Sequence, residues 1–134
     1  MPVQAQHRLQ IIIFALVCAA FTNIYITQPV LPVLQQDFDT DLVRVSLTVS
    51  AVVLGIALAN QPFGLISDRF PIKPIIAIGG TAIIVCGLIC AATDSLSLLI
   101  SARFVQGIFI PALTTCIVAY LSKTLPPASL NVVM

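Results

Sequence analysis

The chain contains very little charge. Its 134 residues include no Glu and no Trp, and the six basic and five acidic residues make only 8% of the sequence charged, whereas 59% is hydrophobic. A soluble domain typically has about a quarter of its residues charged. The composition therefore excludes a soluble globular protein and indicates a membrane protein.

The small number of charged and reactive side chains also excludes several classes of function. With a formal net charge of +1 the chain has no basic patch for phosphates, so we expect no nucleic-acid partner. The single histidine, His7, lies in the polar leader, and no nucleophile has a neighbouring base, so we expect no enzyme. The four cysteines (Cys18, Cys86, Cys90 and Cys116) lie in apolar runs without a C-x-x-C pair, so we expect no metal site and no cofactor.

Four segments are long and apolar enough to cross a bilayer, for which about 20 helical residues are needed. The predicted spans are residues 9–33, 47–66, 75–92 and 96–121. Pro29 and Pro32 interrupt the first span and Pro111 the last, and these prolines predict kinks rather than helix ends. The short connections predict antiparallel hairpins, and the fold class is an all-α membrane protein with four transmembrane helices.

The charged residues outside the spans predict the orientation. Four acidic residues fall in the first and third connections: Asp37, Asp39, Asp41 and Asp94. Four basic residues fall on the opposite side of the membrane: Arg8, Arg69, Lys73 and Lys123. Because Lys and Arg near helix ends are retained in the cytoplasm, we expect both termini and the loop of residues 67–74 to be cytoplasmic.

Polar residues within the spans indicate where function lies, because each is costly in hydrocarbon and tends to face a bundle interior or a cavity. Tyr25 and Gln28 share one face of the first span, and Arg103, Gln106 and Gly107 share one face of the fourth. The alternative for the arginine is that its guanidinium snorkels to the interface. The glutamine one turn deeper favours the inward position.

Small residues recur at four-residue spacing in the second span, at Ala51, Gly55 and Ala59. In lipid, such stripes allow helix backbones to approach closely. We therefore expect a compact bundle.

Three motifs, in order, resemble the major facilitator superfamily. Residues 103–107, RFVQG, match the R-x-x-Q-G pattern of the fourth helix in that family. Residues 64–69, GLISDR, followed by Lys73, are similar to the signature between helices two and three. Residues 25–32, YITQPVLP, ahead of Asp37 and Phe38, are similar to the end of the first helix in bacterial drug:proton antiporter-like members.

The resemblance covers nearly the whole chain and implies the first four of the family's twelve helices. It implies proton-coupled secondary efflux of small organic molecules from a bacterial inner membrane, with lipid, substrate and protons as partners. It also implies two groups of residues: a conformational-switch loop at Gly64, Asp68, Arg69 and Lys73, and a coupling and cavity group at Arg103, Gln106, Gly107, Tyr25 and Gln28.

The sequence departs from the family pattern in three ways. Pro71 stands where the signature has Gly, and Ile72 where it has a basic residue. The predicted spans contain no carboxylate to carry a proton. The chain also supplies one three-helix repeat and one further helix, so we expect an N-terminal fragment that works with missing C-terminal helices or another membrane protein.

Two other interpretations suit a chain with four spans. The first is a four-helix membrane protein, or inert fragment, that does not transport and assembles with other membrane helices. The second is a small multidrug transporter acting as a four-helix dimer, but such proteins use a membrane glutamate and this chain has no Glu.

Overall fold

The computed structural model describes the backbone of residues 3–124 and the side chains of residues 11–120. Within that part the chain is helical apart from short turns. The helices are α1 (Val3–Tyr25), α2 (Leu31–Asp37), α3 (Leu42–Arg69), α4 (Ile72–Ala92) and α5 (Leu96–Thr124), with a 3-10 turn at Gln28–Val30 between α1 and α2.

Within residues 11–120, four stretches are long and apolar enough to cross a membrane: Ile11–Asp37, Leu42–Arg69, Ile72–Ala92 and Leu96–Tyr120. Short turns join each stretch to the next, so neighbouring spans run antiparallel. The predicted all-α membrane fold with four transmembrane helices is therefore confirmed, and the protein is a multi-pass membrane protein.

The first span is broken rather than kinked. The α-helical hydrogen-bond pattern stops at Tyr25 and resumes at Leu31. The last α-helical bond runs from the amide of Ile26 to the carbonyl of Thr22. Pro29, which has no amide hydrogen, also removes the bond to the carbonyl of Tyr25 and prevents the ladder from resuming there. Pro32 lies in the first turn of α2, where a missing amide is tolerated. The prediction of a kink without a helix end was wrong here, whereas α5 continues through Pro111.

The predicted loop of residues 67–74 is mostly helical. The helix α3 extends to Arg69 and α4 begins at Ile72, which leaves Phe70 and Pro71 in extended conformation. Arg69 in the last turn of α3 complements the negative helix end. Pro71 has a φ of −62°, an ordinary value for proline, so this turn does not need the conformational freedom of a glycine.

The turn between α2 and α3 uses a left-handed residue, Asp39, with a φ of 43°. The amide of Thr40 donates to the carbonyl of Gln35 at 3.2 Å, and the amide of Asp39 donates to that of Gln36 at 3.3 Å. These two bonds form a Schellman motif, in which glycine is the usual left-handed residue. Asp tolerates this conformation better than most side chains do.

The centre of the bundle is α5, which packs on α3 and α4. Its buried side chains include Ile110, Leu113 and Ile117. Against α3 the approach is backbone to backbone, because a Cβ atom built on Gly55 would lie 2.6 Å from the carbonyl oxygen of Phe104. Small residues at these positions permit this contact, as in other membrane bundles.

The helix α1 joins this core in two clusters of apolar side chains. Ile13 contacts Leu113 and Ile117 of α5 in one cluster, and Ala20 contacts Val52 and Ile110 in a second. The polar residues of the fourth span lie close to this second cluster along α5.

Candidate functional site

Arg103 links the fourth span to the break in the first. It is half-buried, about 10 Å along α5 from its first residue. Its Nη1 atom donates a hydrogen bond to the carbonyl oxygen of Asn23 at 3.2 Å. Asn23 belongs to the last turn of α1, where carbonyl groups lack helical partners and the helix dipole is negative. Arg103 therefore caps the C-terminal end of a broken membrane helix.

Gln106 links the same face of α5 to α4. Its side chain is 1% exposed, and its Nε2 atom donates to the carbonyl oxygen of Ile83 at 3.1 Å. Gly87 lies beside this amide, because a Cβ atom built on Gly87 would be 3.4 Å from Nε2. One turn of α5 thus holds α1 through Arg103 and α4 through Gln106.

Four buried polar atoms in this region have no hydrogen-bond partner within the described residues. They are Oδ1 of Asn23, Oγ1 of Thr27, Nε of Arg103 and Oε1 of Gln106. An unpartnered buried polar atom costs about 1–3 kcal/mol, so such atoms are rare in a stable fold and point to a missing partner. We call these four residues the polar layer.

The structure separates the five residues that were predicted to act together. Arg103, Gln106 and Gly107 face the interior, and Gly107 lies against the backbone of Val52. Tyr25 is 53% exposed and Gln28 is exposed. Their predicted shared face assumed a continuous helix, and the 3-10 turn after α1 changes the angular spacing of the residues that follow.

Sequence reasoning missed Asn23 and Thr27 as members of the polar layer. Their four-residue spacing in an apolar run was an available signal, because it places two polar side chains on one helix face. The main-chain acceptors of Asn23 and Ile83 carry no such signal, because any residue can supply a carbonyl group.

The predicted switch residues lie at the opposite end of the bundle. Gly64 and Asp68 line an open groove of about 500 Å³ together with Thr114 and Thr115 of α5. Arg69 and Lys73 are exposed. The structure therefore places Gly64 and Asp68 beside α5, and Asp68 is exposed like the two basic residues.

Two hydrogen bonds lie beside the predicted switch residues. The hydroxyl of Thr115 donates to Oδ1 of Asn60 at 3.1 Å, which links α5 to α3. The buried hydroxyl of Ser67 donates to the carbonyl oxygen of Gly64 at 2.7 Å. The bond between Asn60 and Thr115 was not anticipated from the sequence.

Comparison with known proteins gives a family and several relatives. The Major Facilitator Superfamily profile matches residues 13–134. The chain is 29% identical over 126 residues to the uncharacterized MFS-type transporter YybF of Bacillus subtilis (strain 168), covering 92% of the chain and 31% of that protein. It is 32% identical over 78 residues to the multidrug resistance protein MdtL of Klebsiella pneumoniae (strain 342), covering 58% of the chain and 20% of that protein.

The chain thus spans less than a third of the length of these relatives. No solved structure matches it significantly.

Proposed function

The chain belongs to the Major Facilitator Superfamily, and from that premise we propose that it forms the first four membrane helices of a secondary transporter for small organic molecules. This is a family of transporters rather than enzymes. The observation that carries the proposal is the half-buried Arg103, held by the carbonyl of Asn23 inside a membrane span. Ionisable residues in such positions typically mark substrate or ion pathways.

We further propose that transport is proton-coupled efflux. The likeness to MdtL, which is described as a multidrug resistance protein, supports export of organic molecules. The acidic residues of the described part lie in turns or at span ends, so a carboxylate that carries the proton would come from elsewhere in the transporter. In this proposal Arg103 and Gln106 position the first and third spans against the fourth during coupling.

The groove at the end of α3 supports a role in conformational change. Gly64 and Asp68 line it, and the basic side chains of Arg69 and Lys73 are exposed beside it. We propose that these four residues make contacts that differ between transport states. The basic residues also support a cytoplasmic location for this end and for both termini, in a bacterial inner membrane.

Transport is tested by expressing the complete transporter to which this chain would belong in a bacterial strain deficient in drug efflux. Efflux of a fluorescent organic cation is measured with and without a protonophore. We expect efflux that the protonophore abolishes and that Arg103→Gln lowers strongly. Arg103→Lys tests whether charge alone suffices, because lysine lacks the planar guanidinium. Ser101→Ala is the matched control, since Ser101 is exposed on the same helix.

Two results would reject parts of the proposal. A membrane-inserted protein that exports none of a panel of dyes would reject transport and favour the non-transporting four-helix alternative. Wild-type efflux in Arg103→Gln would reject the role of this residue while leaving transport intact.

A further inference from the structure

A pocket of about 310 Å³ lies at the end of the bundle that holds the α2–α3 and α4–α5 turns. Asp37, Thr93 and Asp94 line it, and Cys90 and Leu99 line it on the side of the spans. We propose that this pocket is a water-filled vestibule through which water reaches the polar layer around Arg103. The inference does not depend on whether the protein transports.

The pocket ends one helical turn from the polar layer. Leu99 precedes Arg103 by four residues on α5, so the two lie on the same face about 6 Å apart along the helix axis. Cys90 follows Gly87 by three residues on α4, and Gly87 lies beside the amide of Gln106. The two lining residues on the span side thus lie between the pocket and the two polar residues of α5.

The unpartnered atoms of the polar layer fit water better than they fit an ion. Nε of Arg103 can only donate, Oδ1 of Asn23 and Oε1 of Gln106 accept, and the hydroxyl of Thr27 does both. A cation would be repelled by the guanidinium, and an anion by the two amide oxygens. Water donates and accepts, and a buried water typically makes about three hydrogen bonds.

The membrane increases the need for such a partner, because hydrocarbon offers none. Thr27 is 5% exposed and Gln106 is 1% exposed, so neither reaches bulk solvent directly. The pocket supplies a source of water, since Asp37 and Asp94 are exposed at its mouth and their carboxylates are strongly hydrated.

The native cysteines provide the test. Cys90 lines the pocket, Cys86 is buried one turn away on α4, and Cys18 is exposed on the apolar surface of α1. Three variants, each retaining one of these cysteines, are made in the full chain by Cys→Ala substitution. They are reconstituted in nanodiscs and treated with the membrane-impermeant cationic reagent MTSET. The reagent needs a hydrated thiolate, which hydrocarbon does not support.

We expect Cys90 to react at least tenfold faster than Cys86 and Cys18, although Cys18 is the most exposed of the three. Reaction of all three in denaturing detergent shows that each thiol is competent. Equal rates for Cys90 and Cys86 in nanodiscs, or no reaction at Cys90, would overturn the proposal.

Reagent charge tests the route of entry. The carboxylates at the mouth should favour the cationic MTSET over the anionic MTSES, and Asp37→Asn with Asp94→Asn should reduce that preference. A preference unchanged by these substitutions would show that the reagents do not enter by this mouth.

Water at the polar layer itself is tested by NMR. The Nε–H signal of Arg103, assigned through its loss in Arg103→Lys, should show exchange with water in the nanodisc-embedded chain. Absence of exchange, while Cys90 reacts, would show that water stops at the pocket and would overturn the inference.

Discussion

Replacing Gly55 by alanine should force α3 away from α5. The added Cβ atom would lie 2.6 Å from the carbonyl oxygen of Phe104 and 2.9 Å from backbone atoms of Gly107 and Ile108. All three are main-chain atoms of a helix and cannot rotate away as a side chain would. The oxygen is about 0.8 Å nearer than the 3.4 Å at which ordinary van der Waals contact begins, so the helices must separate by a similar distance.

The change in the free energy of unfolding of Gly55→Ala is the sum of two opposing effects. Overpacking a fitted contact typically costs about 1–3 kcal/mol. Replacing glycine by alanine inside a helix gains up to about 1 kcal/mol in helix propensity. The separation of the helices also weakens dispersion contacts along the rest of the α3–α5 interface. The loss of packing energy should therefore exceed the gain in helix propensity. We expect the free energy of unfolding of Gly55→Ala to fall by about 1–2 kcal/mol.

Gly80→Ala is the matched control, because no atom lies within 4 Å of a Cβ built on Gly80 in α4. The same chemical change there should raise stability by up to about 1 kcal/mol. Both variants are measured by titration with SDS in mixed micelles, followed by far-UV circular dichroism because the chain has no tryptophan. If Gly55→Ala were as stable as Gly80→Ala, the close approach of α3 and α5 would be refuted.

Three further predictions use the same titration. Asp39→Gly should raise stability by up to about 1 kcal/mol, because relief of the roughly 1–2 kcal/mol cost of the left-handed φ of 43° exceeds the about 0.4–1 kcal/mol that glycine costs in chain entropy; a loss would contradict the left-handed turn. A double-mutant cycle of Asn60→Leu with Thr115→Val should give a coupling of about 0.6 kcal/mol, and none if their hydrogen bond is absent. Gln106→Met should alter stability by less than about 1 kcal/mol, since it removes one hydrogen bond to Ile83 together with a buried amide oxygen that no described protein group pairs. It should nevertheless lower dye efflux; a large loss of stability would make Gln106 structural.

The helical fold was predictable because hydropathy and length suffice to identify spans. The stripe that includes Gly55 and Ala59 also predicted close packing, and both residues are buried. The helix ends were harder to predict from the sequence. The helix α3 begins at Leu42 and ends at Arg69, so it extends beyond the predicted bounds at both ends. Hydropathy locates the apolar part of a helix, whereas the polar turns that extend it leave no hydropathy signal.

The candidate site was predictable only in part. The spacing of Arg103 and Gln106 placed both on one face, but it could not identify their acceptors, which are main-chain oxygens of Asn23 and Ile83. The shared face predicted for Tyr25 and Gln28 required a continuous helix, but α1 ends at Tyr25 and Gln28 begins a 3-10 turn, and both side chains are exposed.

The contact of α3 with α5 at Gly55 and Gly107 has a consequence for motion. Where side chains interdigitate, helices can slide by changing rotamers, but a carbonyl oxygen seated on a glycine has no rotamer to change. Sliding would require the backbone of one helix to rise over that of the other and to lose the contact entirely. We therefore expect α3 and α5 to move as one body, and the displacement of the first span against them to be the main internal motion of the described part.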